Sequence, residues 1–262
     1  MTGRKTVDRE PAAARPPRVI VPDLAAHAGS SGEIPLGKDE IAHLLSRRLR
    51  DGDDVVVLDG RGARGRARVA GRGTAVVLAS FEGFPGASPA PSPFPSLPGE
   101  PARRVTVLLS CAETARIEWA VEKGTECGAA GFVLLAAARS QRSHVAALGA
   151  RRARLSRIAA EAAKQCDRTI VPEIEGPVTP GEILRTWTGP LLLAQPGAPA
   201  FASSAVAAWG SVALAVGPEG GFDGPETLLF EQAGARPFSL GPRILRLETA
   251  VVAALTLLVG VE

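Results

Sequence analysis

The segment LAVGPEGGFDGPE, residues 214–226, joins an apolar run to a glycine-rich turn and then to the start of a helix. Asp223 and Glu226 lie three residues apart with Pro225 between them, which is the pattern of a capped helix N-terminus. In a parallel sheet, ligands bind at the carboxyl ends of the strands. The segment therefore favours an α/β domain with a binding loop at residues 217–222.

The rest of the C-terminal part alternates apolar runs with helical stretches, which predicts a mostly parallel sheet. The predicted strands are 104–110, 131–137, 190–195 and 211–217, and the predicted helices are 115–129, 147–166 and 225–235. Three strand ends, 191–199, 212–222 and 238–250, are rich in small residues. We expect these three ends to converge on one pocket.

The N-terminal part has a different organisation. Residues 19–82 are rich in β-branched runs and predict a small β-rich domain, while residues 1–18 predict a disordered tail. Residues 83–101 contain seven prolines and predict a linker before the second domain at 102–262. Eight arginines lie between Arg47 and Arg72. They form either a solvated basic surface or a surface that binds an RNA backbone.

The composition narrows the class of protein. The chain has 262 residues, a net charge of +3 and a pI near 9.0, which permits a nucleic-acid partner without demanding one. Three scattered cysteines predict a reducing, cytoplasmic location, and no cluster of residues predicts a metal site. The most apolar run, 250–259, is too short to cross a membrane.

Two nucleotide-binding interpretations fail on the residues themselves. The sequence GRGARG at 60–65 matches a dinucleotide fingerprint, but the residues after it predict a strand where a helix is required. The loop at 217–222 lacks the lysine and hydroxyl of a phosphate-binding loop, and Glu219 would repel phosphate. It suits a neutral or cationic ligand, unless it is a simple turn with Glu219 in solvent. Arg246 and Glu248, beside an apolar helix, are either functional or a structural ion pair.

The motifs then indicate a family. GPEGGF at 217–222 and LGPRILRLETA at 240–250 resemble the signature of the RsmE family of SPOUT-class methyltransferases. The resemblance extends over residues 20–262, and the segments that carry its other parts are 37–62, 116–129, 138–143 and 161–174.

The resemblance implies a fold, a reaction and partners. The fold would be α/β, with a C-terminal SPOUT trefoil-knot methyltransferase domain and a smaller N-terminal β-barrel PUA-like domain. The chain would be a cytoplasmic homodimer that uses S-adenosylmethionine to methylate uridine N3 at position 1498 of 16S rRNA, free or in the small ribosomal subunit. The alternatives are a non-catalytic RNA-binding assembly factor and a methyltransferase for another RNA position.

The resemblance also implies site residues in this sequence. Arg246 and Glu248 would be catalytic. The cofactor-binding residues would be Leu193, Ala194, Val216, Gly217, Glu219, Gly220, Gly221, Leu240, Gly241, Ile244, Leu245, Arg246 and Ala250. The RNA-binding residues would be Arg47, Arg48, Arg61, Arg64, Arg66, Lys123, Arg139, Arg142, Gln165 and Arg168.

Overall fold

The computed structural model describes residues 15–82, 100–202, 206 and 208–259. The chain divides into two compact units, the first made by residues up to 59 and 63–84, the second by residues 60–62 and 85 onward. Most of the predicted tail at 1–18 and of the predicted linker at 83–101 lies outside the described residues.

The first unit is a five-stranded mixed sheet with one α-helix, α1, at Lys38–Ser46 and a short 3-10 helix at Leu24–His27. Its strands are β1 (Arg18–Ile20), β2 (Glu33–Pro35), β3 (Asp54–Leu58), β4 (Arg64–Ala70) and β5 (Ala75–Glu82). The sheet order is β1-β3-β4-β5-β2, and only the β1–β3 pair is parallel among these strands.

Strand β4 shows why the sequence after Gly60 forms a strand and not a dinucleotide-binding helix. Its residues alternate between buried and more exposed positions, with Gly65, Ala67 and Val69 buried and the arginines between them turned away from the core. A period of two residues is the signature of a strand with one face on a core. The predicted strand is confirmed, and the dinucleotide interpretation is excluded.

The second unit is a six-stranded sheet in which every pair of neighbours is parallel. Its strands are β6 (Arg104–Ser110), β7 (Ala129–Leu135), β8 (Glu173–Val178), β9 (Leu191–Ala194), β10 (Ser211–Val216) and β11 (Arg236–Phe238). Its helices are α2 (Thr114–Glu126), α3 (Arg142–Ala150), α4 (Arg152–Gln165), α5 (Pro180–Thr186), α6 (Gly224–Gln232) and α7 (Leu247–Val259). The predicted α/β domain with a parallel sheet is confirmed.

Both faces of this sheet are buried, as parallel strands require. On β6, Val107 and Leu109 pack into the core that includes α2 and α7, whereas Leu108 packs into the core beside α6. The sheet order is β11-β9-β10-β6-β7-β8. The chain moves from β6 to one edge through β7 and β8, and then crosses to the other side for β9, so the strand order reverses beside β6. Ligands bind at such a reversal in open α/β sheets.

Two local predictions need correction. The predicted helix at 147–166 is two helices, because Arg151, with φ of −102° and ψ of 8°, ends α3 and precedes α4. Strand β8 was not predicted, because Gly176 and Pro177 lie within it. The position of β8 at the sheet edge tolerates a proline, which has no N–H to donate to a neighbouring strand.

A buried ion pair fixes the beginning of the second unit. The Arg168 side chain is 3% exposed and donates from Nη2 to Glu100 Oε2 at 2.7 Å, while the Glu100 side chain is 7% exposed. Arg168 also donates to the carbonyls of Thr125 and Ala129, and Glu100 Oε1 accepts from two backbone N–H groups. Arg168 is therefore an almost fully buried structural residue, and we do not retain it as an RNA contact.

We expect Arg168→Met to reduce the free energy of unfolding by about 3–5 kcal/mol, because it leaves the Glu100 carboxylate buried without its partner. Urea denaturation of the full chain measures this. The matched control is Arg154→Ala, which removes a bidentate ion pair between the exposed Arg154 and Glu118. It should reduce the free energy of unfolding much less. Equal losses in the two variants would contradict the structural role of Arg168.

Candidate ligand-binding site at the carboxyl edge of the sheet

The loops after β9, β10 and β11 enclose a cavity of about 360 Å³ at the carboxyl edge of the parallel sheet. This volume lies in the usual range for small-molecule sites, about 300–1,000 Å³. The cavity is lined by Leu193, Ala194, Gln195, Pro196, Val216, Gly217, Pro218, Glu219, Gly220, Gly221, Phe222, Thr227, Ser239, Leu240, Gly241, Arg243, Ile244, Leu245, Leu247 and Ala250. The three strand ends that we expected to converge thus share one cavity.

The loop after β10 is a tight turn that exposes its backbone to the cavity. The N–H of Gly221 donates to the carbonyl of Pro218 at 2.7 Å, and Gly221 has φ of +69°. Residues with a Cβ rarely adopt this left-handed conformation. A Cβ at Gly217 would lie 3.2 Å from the Phe222 ring. The glycines therefore serve the turn and leave peptide groups within reach of a ligand.

The N-terminus of α6, which follows this loop, is capped by two carboxylates of the chain itself. Asp223 accepts from the N–H of Glu226 at 2.8 Å, and Glu226 accepts in return from the N–H of Asp223 at 3.1 Å, so the predicted capping box is confirmed. Glu226 also accepts from the N–H of Ala138 at 2.7 Å. Because carboxylates already cap the N-terminus of α6, it does not offer a free site for a phosphate group.

Glu219 lines the cavity, but its charge is not isolated. Arg116, on α2, donates from Nη1 to Glu219 Oε1 at 2.8 Å. The ion pair compensates the carboxylate within the loop, which explains how a glycine-rich binding turn accommodates an acidic residue. A neutral ligand is compatible with this arrangement, because the ion pair leaves no net charge on the loop side chain.

The loop after β11 contributes apolar side chains and one cationic side chain to the cavity. Leu240, Ile244 and Leu245 line the cavity, and Gly241 has φ of +109°. Arg243 also lines the cavity and is exposed. This loop leads directly into α7, whose residues Leu247 and Ala250 close the same side of the cavity.

The two predicted catalytic residues flank the start of α7. Arg246 is exposed, and its carbonyl accepts from the N–H of Ala250 at 2.8 Å. Its neighbours Leu245 and Leu247 line the cavity. Among the residues that the structure describes, Arg246 is not a lining residue. Glu248 is half-buried, and its Oε2 atom has no hydrogen-bond partner among the described residues. The structure shows no Arg246–Glu248 ion pair among these residues.

Sequence reasoning located most of the cavity. Each predicted cofactor residue except Arg246 is among the lining residues. The lining residues that it missed are Gln195, Pro196, Pro218, Phe222, Thr227, Ser239, Arg243 and Leu247. Most of these are neighbours of predicted residues in the same three loops. Thr227 lies further along, in the first turn of α6, and no local signal marked it.

The predicted RNA contacts of the second unit have different environments. Lys123 lies between Glu122 and Glu126, and its hydrogen bonds to these carboxylates, first to Glu122, raise its pKa above the usual range. Arg139 donates to loop carbonyls of residues 220 and 222. The remaining exposed candidates of this unit are Arg61, Arg142 and Gln165. In the first unit, Arg47, Arg48 and Arg66 are exposed and Arg64 is half-buried.

Other chemistries find little support at this site. Burial raises the pKa of the Cys111 thiol to about 11, so it stays protonated at neutral pH and is a poor nucleophile. No cluster of three or more histidine, cysteine or acidic residues suited to a metal occurs in residues 15–82, 100–202, 206 and 208–259. Over the same residues, no helix is both long and apolar enough to span a membrane.

The fold and the cavity define the class to which the chain belongs. Residues 99–259, more than half of the chain, match the RNA methyltransferase domain family. This match covers the whole parallel sheet and all three loops of the cavity. The chain is therefore a member of the RNA methyltransferase domain class.

Relatives place the chain within that class. Ribosomal RNA small subunit methyltransferase E of Mycobacterium bovis is 33% identical over 250 residues, which cover 90% of this chain and 87% of the relative. The protein of the same name from Synechocystis is 32% identical over 224 residues, covering 81% and 68% respectively. The chain belongs to the ribosomal RNA small subunit methyltransferase E family.

Solved structures show the same fold. Ribosomal RNA small subunit methyltransferase E of Neisseria gonorrhoeae, solved bound to S-adenosyl methionine, has a TM-score of 0.77 at 22% identity and covers 92% of this chain and 96% of its own. A Legionella pneumophila protein solved in complex with the same cofactor has a TM-score of 0.75 at 23% identity, with 93% and 96% coverage.

We expect Gly221→Val to lower the free energy of unfolding by about 1–2 kcal/mol, because a β-branched residue is strained at a left-handed backbone position. Thermal denaturation measures the loss. Gly224→Ala is the matched control, since Gly224 starts α6 without a positive φ and has open space around it. Wild-type stability in Gly221→Val would show that the turn is not held in this conformation.

Proposed function

We propose that this chain transfers a methyl group from S-adenosylmethionine to N3 of a uridine in the RNA of the small ribosomal subunit. The observation that carries the proposal is the cavity at the carboxyl edge of the sheet, formed by three backbone-rich loops. The family membership supports the methyl-transfer chemistry and the class of RNA.

The residues of the cavity fit S-adenosylmethionine. This cofactor has an adenosine, an amino acid and a positively charged sulfonium, and it has no phosphate. Apolar side chains of Leu193, Leu240 and Leu245 suit the flat base, and the glycine-rich loop after β10 offers peptide groups to polar atoms. The carboxylates of the α6 cap already occupy the helix N-terminus, so it offers no free anchor to a phosphate group, which this cofactor lacks. When bound, the cofactor supplies an electrophilic methyl group.

The protein must prepare uracil N3 to attack that methyl group. N3 carries a proton and lies on the Watson–Crick edge, so the uridine must be unpaired or flipped out. We propose that the positive charge of the Arg246 guanidinium stabilises the negative charge that develops on the uracil as the proton leaves. Glu248 Oε2, which is buried and has no hydrogen-bond partner within the described ranges, is a candidate acceptor for that proton, although Glu248 is not a lining residue of the cavity.

The first unit supplies a basic surface that suits an RNA backbone. Arg66 of β4 lies on the face of the sheet away from the core, and Arg47 and Arg48 are exposed after α1. Such guanidinium groups bind phosphates without reading sequence. We propose that this unit is a PUA-like β-barrel domain for RNA binding, and that Arg142 and Gln165 of the second unit also bind RNA.

Further proposals follow from the family. We propose that the second unit is a SPOUT trefoil knot, that the chain is cytoplasmic, and that it works as a homodimer. The second unit exposes several large apolar side chains, and a homodimer interface that covered some of them would remove apolar surface from water. These side chains are Trp119, Leu228, Leu229, Ile244 and Leu257.

Methyl transfer from labelled S-adenosylmethionine to small ribosomal subunits, purified from cells that lack this protein, tests the proposal. We expect label in 3-methyluridine after nucleoside digestion. Arg246→Ala should reduce turnover by about 100-fold or more, because the developing charge loses its stabilising cation. Arg185→Ala, an exposed arginine on α5, is the control and should leave turnover unchanged.

The other outcomes separate the alternatives. Label in a different nucleoside would retain the reaction and reject uridine N3. Binding of S-adenosylmethionine without any label would reject the small subunit as substrate and favour another RNA. A wild-type chain that binds RNA but not the cofactor would reject methyl transfer and favour a non-catalytic assembly factor.

A further inference from the structure

The loop at 217–222 is held from outside the cavity by two arginines, one in a neighbouring loop and one in helix α2. Arg139, which follows β7, donates from Nη1 to the carbonyl of Gly220 and, at 3.4 Å, to that of Phe222. Arg116, in the first turn of α2, donates to Glu219 at 2.8 Å. Among the described residues, neither arginine belongs to the cavity lining. Both therefore contact the loop without occupying the space for a ligand.

The fit of Arg139 against the loop depends on a glycine. A Cβ at Gly220 would lie 3.2 Å from Arg139 Cδ, so the stem of the arginine packs directly on the glycine backbone. The segment of Arg139 is itself anchored, because the N–H of Ala138 donates to Glu226 at the start of α6. The loop after β7 and the loop after β10 thus hold each other through side chains and backbone.

A glycine-rich loop without such contacts loses much backbone conformational entropy when a ligand orders it, and this loss weakens binding. Gly217, Gly220 and Gly221 all lie in this loop, and glycine has the widest conformational freedom of any residue. Contacts that fix the loop beforehand remove this cost from the binding free energy. Arg116 and Arg139 supply such contacts, one to the Glu219 side chain and the other to the Gly220 carbonyl.

We propose that Arg139 and Arg116 are positioning residues that hold the loop at 217–222 in the conformation that binds S-adenosylmethionine. This inference rests on the proposed function of the cavity. It replaces the role of RNA contact predicted for Arg139, and it assigns a role to Arg116, which the sequence analysis did not single out.

The two arginines act through different chemistry. Arg139 donates to neutral carbonyls, so an amide donor can replace part of its function. Arg116 pairs with the Glu219 carboxylate, so its function needs a positive charge. Glutamine at position 139 should therefore retain part of the affinity for the cofactor, whereas glutamine at position 116 should retain none of the contribution of Arg116. Lysine at position 116 should retain part of it.

Calorimetric binding of S-adenosylhomocysteine by the full chain measures the effect without turnover. We expect Arg139→Ala to weaken binding by about tenfold, Arg139→Gln to recover part of that loss, and the KM for S-adenosylmethionine to rise far more than kcat falls. Arg157→Ala, which removes an exposed arginine of α4, should bind like the wild type.

A double-mutant cycle tests the second contact and stands even if Arg139→Ala fails to fold. Arg116→Ala and Glu219→Ala should each weaken binding, and the double variant should lose less than the product of the two single effects. Independent effects would overturn the role of Arg116.

Two other results would overturn the proposal in distinguishable ways. Unchanged affinity in a folded Arg139→Ala variant, with a raised KM for RNA, would return Arg139 to the RNA surface. A wild-type chain that does not bind S-adenosylhomocysteine would reject the proposed function itself, and with it the positioning role of Arg139 and Arg116.

Discussion

The parallel pairing of β9 with β10 and β11 is the constraint on which the rest of the structure depends. It places the carboxyl ends of three short strands side by side, so the three loops that follow must share one space. Backbone-rich turns fill that space with peptide groups, and α7 closes it. A cavity built in this way selects a ligand by shape and by peptide hydrogen bonds more than by charged side chains.

Charge compensation removes the usual anchor for a phosphate group from this cavity. Glu219 is paired with Arg116, and the N-terminus of α6 is capped by Asp223 and Glu226. The positive end of a helix, which commonly attracts phosphate in α/β proteins, is thus already satisfied by carboxylates of this chain. The cap of α6 therefore leaves this helix N-terminus unavailable to a phosphate group, which agrees with a cofactor that lacks phosphate and with the family to which the chain belongs.

Local patterns in the sequence predicted much of the second unit. Apolar runs predicted β6, β7, β9 and β10, and the D-x-x-E spacing predicted the start of α6, because these signals act between neighbouring residues. Long-range partners were beyond such reasoning. Nothing near Arg168 indicated that it pairs with Glu100, 68 residues earlier, and nothing near Arg139 indicated that it bonds to a loop 81 residues later. Basic residues predicted as a surface were therefore partly structural.

The most direct test of the account is a crystal structure of the full chain with S-adenosylhomocysteine. The account predicts the ligand inside the cavity between the loops after β9, β10 and β11, hydrogen-bonded to peptide groups of the loop at 217–222, with Arg139 and Arg116 still in contact with that loop. A ligand bound elsewhere, or a loop that has left both arginines in order to bind it, would contradict the account.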